Sequence, residues 1–172
     1  MRLVEHNVIN IIFQLIKSCN RSQPHMEVMK HSLNIIENLS RDRDTTGSVF
    51  WAPEGLEILV DSAQSYREND MVLNSVLTIL LIHLDVASLT PQQQTNADMD
   101  GYAKRRRVMS AMAPEVKKMR GVQTVMERKL ERETRSKPGM TAARMKQLPP
   151  NHPLRMLTSS VAKLRRIAEL LA

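Results

Sequence analysis

Apolar residues return along this chain at the spacing of helix faces. Ile9, Ile12, Phe13, Ile16 and Cys19 recur every third or fourth position, with Val8, Ile11 and Leu15 beside them, and predict one wide apolar face. Asn20-Arg21-Ser22-Gln23-Pro24 ends that helix and opens the next. Ser22 is a candidate N-cap, and Pro24 suits a first turn, where its missing N–H is not needed. The second helix is expected from about Pro24 to Ser40, with Val28, Met29, Leu33, Ile36 and Leu39 on its apolar side. Residues 41–51 read as a polar connection with an apolar end. A third helix is expected from Pro53 to near Tyr66-Arg67, carrying Leu56, Leu59, Val60 and Ala63. Asn69-Asp70 cap a fourth over 71–86, where Val72, Leu73, Val76, Leu77, Leu80, Leu81 and Leu84 leave hardly a polar side. A helix apolar all round belongs at the centre of a fold.

The four helices form two pairs that match each other. Ile9, Ile12 and Phe13 correspond to Leu56, Leu59 and Val60 at an offset of 47, and Leu33-Asn34 to Leu73-Asn74 at an offset of 40. Offsets of about 40–47 are the period of armadillo and HEAT repeats, in which each pair needs a neighbour to cover its apolar face. The expected fold is therefore all-α: armadillo/HEAT-like stacked helix pairs with a basic helical C-terminal extension. An antiparallel four-helix bundle shows the same periodicity. Two pairs fall short of the three or so that a stable stack needs, so helices upstream in a longer protein, or the basic ones downstream, must supply the rest.

Residues 88–100 are polar and low in complexity, the clearest linker in the chain. They divide it into armadillo-like repeats (1–87), a polar linker (88–100) and a basic helical extension (101–172). In the extension, Met109, Met112, Val116, Met119, Met126 and Leu130 fall on a and d positions of a heptad, with Gln123 the polar exception. Gly121 weakens this helix by about 1 kcal/mol relative to Ala. Pro149-Pro150-Asn151-His152-Pro153 is a rigid connector, and Leu154, Leu157, Val161, Leu164, Ala168 and Leu171 stripe a last helix.

Charge sharpens this division. The chain has 172 residues and a formal net charge of +7. Residues 1–100 carry 7 basic and 13 acidic residues, and residues 101–172 carry 18 basic and 5 acidic ones, so net −6 is followed by net +13. Aromatics at 3% and five glycines disfavour an all-β fold. The lone Cys19 cannot make an internal disulfide or a metal knuckle and reads as a small buried hydrophobe of a reducing compartment. Apolar runs are too short to span a bilayer. Glu5 and His6 fall where the apolar core of a signal peptide would begin, and Met1 leads almost directly into amphipathic helix, as in a piece of a longer protein.

No catalytic constellation emerges, and neither a cofactor nor a metal is expected. No glycine lies in a phosphate-cradling pattern, and His6, His25, His31, His83 and His152 lack metal-ligand spacing. The functional signal is the basic region. Lys104, Arg105, Arg106 and Arg107 form a cluster that Lys117, Lys118, Arg120, Arg128, Lys129 and Arg132 extend. Such a field attracts an acidic partner. The candidates are the acidic tubulin surface of microtubules, nucleic acid, and calmodulin. For calmodulin, Met109, Met112, Val116, Met119, Met126 and Leu130 would be the helix-partner anchors. The same heptad would serve pairing between chains. The plain alternative is a solvated basic face on a helix whose Met stripe packs inward. Tyr102 is the only aromatic in the basic half, so no stacking platform for nucleic acid exists. The tetrabasic cluster also has the form of a nuclear localisation signal. Val122-Gln123 with Arg128 lacks the spacing of an IQ motif.

Leu15 to Val28, with its N-R-S-x-P-x-M-E-V core, resembles the C-terminal, armadillo-like region of the abnormal spindle family. The resemblance continues through Leu39-Ser40, Thr45-Thr46-Gly47-Ser48-Val49 and Gly55-Leu56-Glu57-Ile58-Leu59 to Tyr66-Arg67-Glu68, and covers about residues 8–85. Arg144, Gln147-Leu148-Pro149 and Leu154 are similar to the family's closing R-x-x-x-L-x-P-x-W-x-L pattern, with His152 where Trp is expected. The resemblance implies the C-terminal fragment of a very long spindle-pole protein, of an invertebrate member by expectation. Such a protein carries a microtubule-associating region, calponin-homology domains and calmodulin-binding IQ repeats upstream. It acts at spindle poles, centrosomes and microtubule minus ends, in cytoplasm and cytoskeleton, with a nuclear interphase pool consistent with the basic cluster, and the resemblance implies microtubules or other acidic spindle-pole proteins as partners.

Overall fold

A computed structural model describes residues 7–41, 52, 54–88, 107, 110–115, 117–137 and 139–170. Its regular elements are α1 (Val8–Ser18), α2 (Gln23–Arg41), α3 (Gly55–Ser65), α4 (Asp70–Ser88), α5 (Arg120–Arg135), α6 (Ala142–Gln147) and α7 (Pro153–Leu170). Residues 110–115 and 117–118 are helical as well. No strand occurs among the described residues, and the chain is all-α there. The connection 42–51, the stretch 89–100 and the T-T-x-S-V motif lie outside the described residues.

The internal repeat is real in backbone terms, with one period throughout. α1 and α3 each have 11 residues and α2 and α4 each have 19. Val8 to Gly55 and Gln23 to Asp70 are both steps of 47. Asn7 and Glu54, also 47 apart, enter their helices with φ of 57° and 58°. The left-handed region costs a non-glycine residue of order 1 kcal/mol, and both pairs accept that cost at the same place. The 40-residue offset read from Leu33-Asn34 and Leu73-Asn74 is thus a coincidence of residue type: Leu33 is structurally equivalent to Leu80. Glu54's conformation also explains why α3 starts at Gly55 and not at Pro53.

Helix ends follow the side chains available. Asn69 caps α4, its Oδ1 accepting from Val72 N at 3.1 Å. α2 starts directly after Ser22, whose carbonyl accepts from Met26 N at 2.9 Å. His152 caps α7 through Nδ1, which accepts from Leu154 N at 3.2 Å, and Pro153 takes the first helical position. The basic stretch expected as one long heptad helix is broken at Met119, with α5 starting afterwards. α6, which the apolar pattern did not predict, is capped by Thr141 Oγ1.

Packing follows a ladder. α1 packs on α2 and α3, α2 on α4, and α3 on α4. α4 then packs on α7 more extensively than any other two elements pack, and α7 packs on α5 and α6. α4 is central, as its all-round apolarity requires. The helices of the basic region continue the first four, and one core runs from Phe13 and Leu33 through Leu77 and Leu80 to Met126, Val161 and Ile167.

Candidate interaction surface

The α4–α7 seam fixes where the basic region stands. Lys163 Nζ reaches across it to Asn74 Oδ1 at 2.7 Å and Thr78 Oγ1 at 2.6 Å, and Ser159 Oγ lies 3.3 Å from Asn74 Oδ1. Burial lowers the pKa of this lysine. α5 is held to α4's start by Lys129, which lies 3.3 Å from Asp70 and 4.0 Å from Glu68. It is held to α7 by the Arg165–Glu127 pair at 2.9 Å, which lowers the Glu127 pKa chiefly through that hydrogen bond. Gln64 Nε2 donates to Lys118 O at 3.0 Å and ties α3 to the same region.

With α5 so placed, its two faces separate. Met112, Met119 and Met126 are buried and Leu130 packs partly buried against the core, while Met109 and Val116 lie outside the described side chains. Met112, Met119 and Met126 pack within the chain's own core. The opposite face carries exposed Arg120, Arg128 and Arg132, and Lys117 is exposed just before α5, none with a carboxylate within 4.0 Å among the described residues. Arg107 is exposed too, whereas Lys104, Arg105 and Arg106 lie outside the described residues. Lys118 is exposed but paired with Glu115 at 2.8 Å, and that hydrogen bond raises its pKa. Lys129 is partly buried and serves the α4 contact instead. Residues 120, 124, 128 and 132 rise about 6 Å per step along one side of α5. Gly121 lies on that side, and a Cβ there would meet nothing within 4 Å.

The residues that carried the family resemblance meet at the opposite end. Arg21 Nη2 donates to Ser65 O at 2.7 Å, closing the last turn of α3. Tyr66 OH donates to Cys19 O at 2.8 Å. Asn20 Oδ1 accepts from Ser22 N at 2.8 Å, and Asn20 N donates to His25 Nδ1 at 3.0 Å. The N-R-S and Y-R stretches therefore form one interlock between the two pairs, and their demands are geometric, not catalytic. Burial raises the Cys19 thiol pKa, so the thiol is not activated. Among the described residues no three His, Cys, Asp or Glu groups gather to hold a metal, and no helix is long and apolar enough to cross a membrane.

Curated proteins match part of this chain. The human abnormal spindle-like microcephaly-associated protein is 38% identical over 66 residues, as is its Pongo pygmaeus homologue, and the Felis catus homologue is 36% identical over the same length. The chain resembles the abnormal spindle family. Each match covers 38% of this chain and 2% of the relative, so the chain spans a very small part of the relatives' length. These relatives are mammalian, and the expectation of an invertebrate member finds no support in them. No protein-family model matches. No solved structure matches.

Proposed function

We propose that this chain is a non-catalytic interaction module of a spindle-pole, microtubule-associated protein that serves mitotic spindle organisation. Its helix pairs act as an armadillo-like stack, and the outward face of α5 is the contact for an acidic protein surface. The observation that carries this reading is the division of α5 itself. Its apolar stripe is spent on the core, and Arg120, Arg128 and Arg132, with Lys117 just before the helix, are left exposed with no carboxylate within 4.0 Å among the described residues. A fold gains little from unpaired surface cations, which repel one another, so their concentration on one face points outward. The similarity to abnormal spindle-like proteins supports the spindle address, at spindle poles, centrosomes and the cytoskeleton.

Co-sedimentation with microtubules tests it. The full chain is expected to pellet at low salt and to be released as salt rises, since screening weakens such contacts. A variant with Arg120, Arg128 and Arg132 changed to Gln is expected to pellet at least several-fold less. Failure of the unaltered chain to pellet at low salt would remove the microtubule contact. The calmodulin-binding and self-associating readings are disfavoured because both need Met112, Met119 and Met126 outside the core. Calcium-loaded calmodulin is accordingly expected to form no complex with the folded chain at micromolar concentration.

A further inference from the structure

We infer that Ser136 is a phosphoacceptor for a serine/threonine protein kinase that reads basic residues, and that phosphate there switches the α5 contact off. The inference rests on the reading of that face as a contact for an acidic protein surface. Ser136 is the next step of the row that holds Arg120, Arg128 and Arg132. Its backbone N–H donates to Arg132 O at 3.0 Å, which sets Ser136 one turn beyond Arg132. Its φ of −73° and ψ of −9° keep the helical register, and the chain leaves the helix directly afterwards. Gly139 follows with φ of 86°. Ser136 is exposed, and its hydroxyl donates to Glu133 O at 2.9 Å in a bond made at the surface. The two threonines of α5 lack this combination. Thr124 shares the row but sits in the body of the helix, its Oγ1 donating to Arg120 O at 3.1 Å. Thr134 is partly buried and donates to Leu130 O at 2.8 Å. A kinase takes its acceptor in an extended segment, which a fraying helix end yields more readily than a helix middle.

The surroundings supply both the recognition and the consequence. Arg132, Arg135 and Lys137 flank Ser136 and are all exposed. Arg135 and Lys137 lie 4.0 Å from Glu131 and 3.4 Å from Glu133, whereas Arg132 has no carboxylate within 4.0 Å among the described residues. In the transfer, Ser136 Oγ attacks the γ-phosphorus of ATP. An Oγ–P bond forms, the bond from that phosphorus to the β,γ-bridging oxygen breaks, ADP leaves with the electron pair, and the hydroxyl proton passes to the catalytic base of the kinase. The phosphoserine carries about −1.5 to −2 charges at pH 7, comparable with the summed charge of Arg128 and Arg132. Arg132, one turn back, is at the spacing for a charge-assisted hydrogen bond to it. The C-terminal end of a helix disfavours an anion, and the flanking cations oppose that effect. The row thereby loses its last arginine and most of its field toward an acidic surface.

The test uses the full chain in three forms: unaltered, Ser136→Ala, and with phosphoserine installed at position 136 during translation. The catalytic fragment of protein kinase C, which accepts serine between basic residues, is supplied with ATP. It is expected to place phosphate on Ser136, read by peptide mass spectrometry, and Ser136→Ala is expected to lose that modification. Phosphate absent from Ser136 overturns the assignment. In microtubule pelleting at low salt, the phosphoserine form is expected to pellet at least several-fold less than the unaltered chain, and Ser136→Ala to pellet as much. Equal pelleting of the phosphoserine and unaltered forms overturns the switch. Phosphorus NMR reads the pairing without microtubules. The second ionisation of the phosphate is expected to move to higher pH when Arg132→Gln is added, and an unmoved midpoint overturns the pairing. An unaltered chain that fails to pellet defeats the α5 contact and the switch with it. The kinase and NMR readouts still decide Ser136 as a site, so the two failures are told apart.

Discussion

Alanine in place of glycine has opposite consequences at two sites of this chain, and the sign tests the packing directly. A Cβ on Gly55 would lie 2.9 Å from Phe13 Cε2 and 3.0 Å from Cζ. Phe13 is fully buried between α1 and α3, so its ring has nowhere to retreat. Overpacking of this kind costs about 1–3 kcal/mol. The helix propensity gained by Ala is below about 1 kcal/mol, because Gly55 sits at the first position of α3 and not in its interior. Gly55→Ala is therefore expected to destabilise by about 1–2 kcal/mol. For a domain of this size that lowers Tm by roughly 2–8 °C. Gly121→Ala meets open space and gains up to about 1 kcal/mol, raising Tm by roughly 2–4 °C. Thermal and urea unfolding followed by far-ultraviolet circular dichroism gives both numbers. Phe13→Leu supplies the control, since Gly55→Ala should cost at least about 0.5 kcal/mol less in that background. Gly55→Ala as stable as the parent, or no rescue by Phe13→Leu, would refute the contact.

Burial holds the His83 pKa down, to about 4 from 6.5. The unfolded chain takes up this proton first as pH falls, so the stability is whole above about pH 6.5 and is lost on acidification. The loss between pH 7 and pH 4 is about 3 kcal/mol. Urea midpoints for the parent and for His83→Leu should diverge over that window, and parallel profiles would exclude His83 as the source. Ser160 Oγ is buried with no hydrogen-bond partner among the described residues, so Ser160→Ala is expected to raise stability by about 1 kcal/mol; a fall in Tm would mean the hydroxyl is bonded. Tyr66→Phe removes the bond to Cys19 O and should cost about 1 kcal/mol in urea unfolding, with an unchanged midpoint the contrary result.

Residue periodicity carried the helices because most of them are held by one apolar face each. α1, α2 and α7 were legible nearly to the residue from Ile9, Leu33 and Leu157 and their neighbours. The central place of α4 was legible from apolar residues on nearly all its sides: Val72, Leu73, Val76, Leu77, Ile79, Leu80 and Leu84 are buried, and α4 packs on α2, α3 and α7. The shared period was only half legible. Composition matches Leu33 to Leu73, but the backbone matches Leu33 to Leu80 and Ile36 to His83. His83 therefore sits at an apolar repeat position, which is why it is buried against Ser40, its Nε2 3.2 Å from Ser40 Oγ, and why no motif search finds it. α6 escaped because Thr141 and local turn geometry, not an apolar stripe, define it.

The contact surface was harder to read, for a physical reason. A helix with a Met stripe on one side and Arg on the other has one amphipathic pattern for two situations: packed inward with a solvated face, or awaiting a partner helix. Only the fold separates them, by burying Met112 and Met126. The cations divide in the same way. Lys129 and Arg165 look like Arg128 and Arg132 in sequence, yet Asp70 and Glu127 claim the first two, and no carboxylate among the described residues claims the others. The net charge of the C-terminal region therefore overstates what is free to bind. Part of it fastens α5 to α4 and α7, and that fastening is what turns the remaining arginines outward as a fixed row.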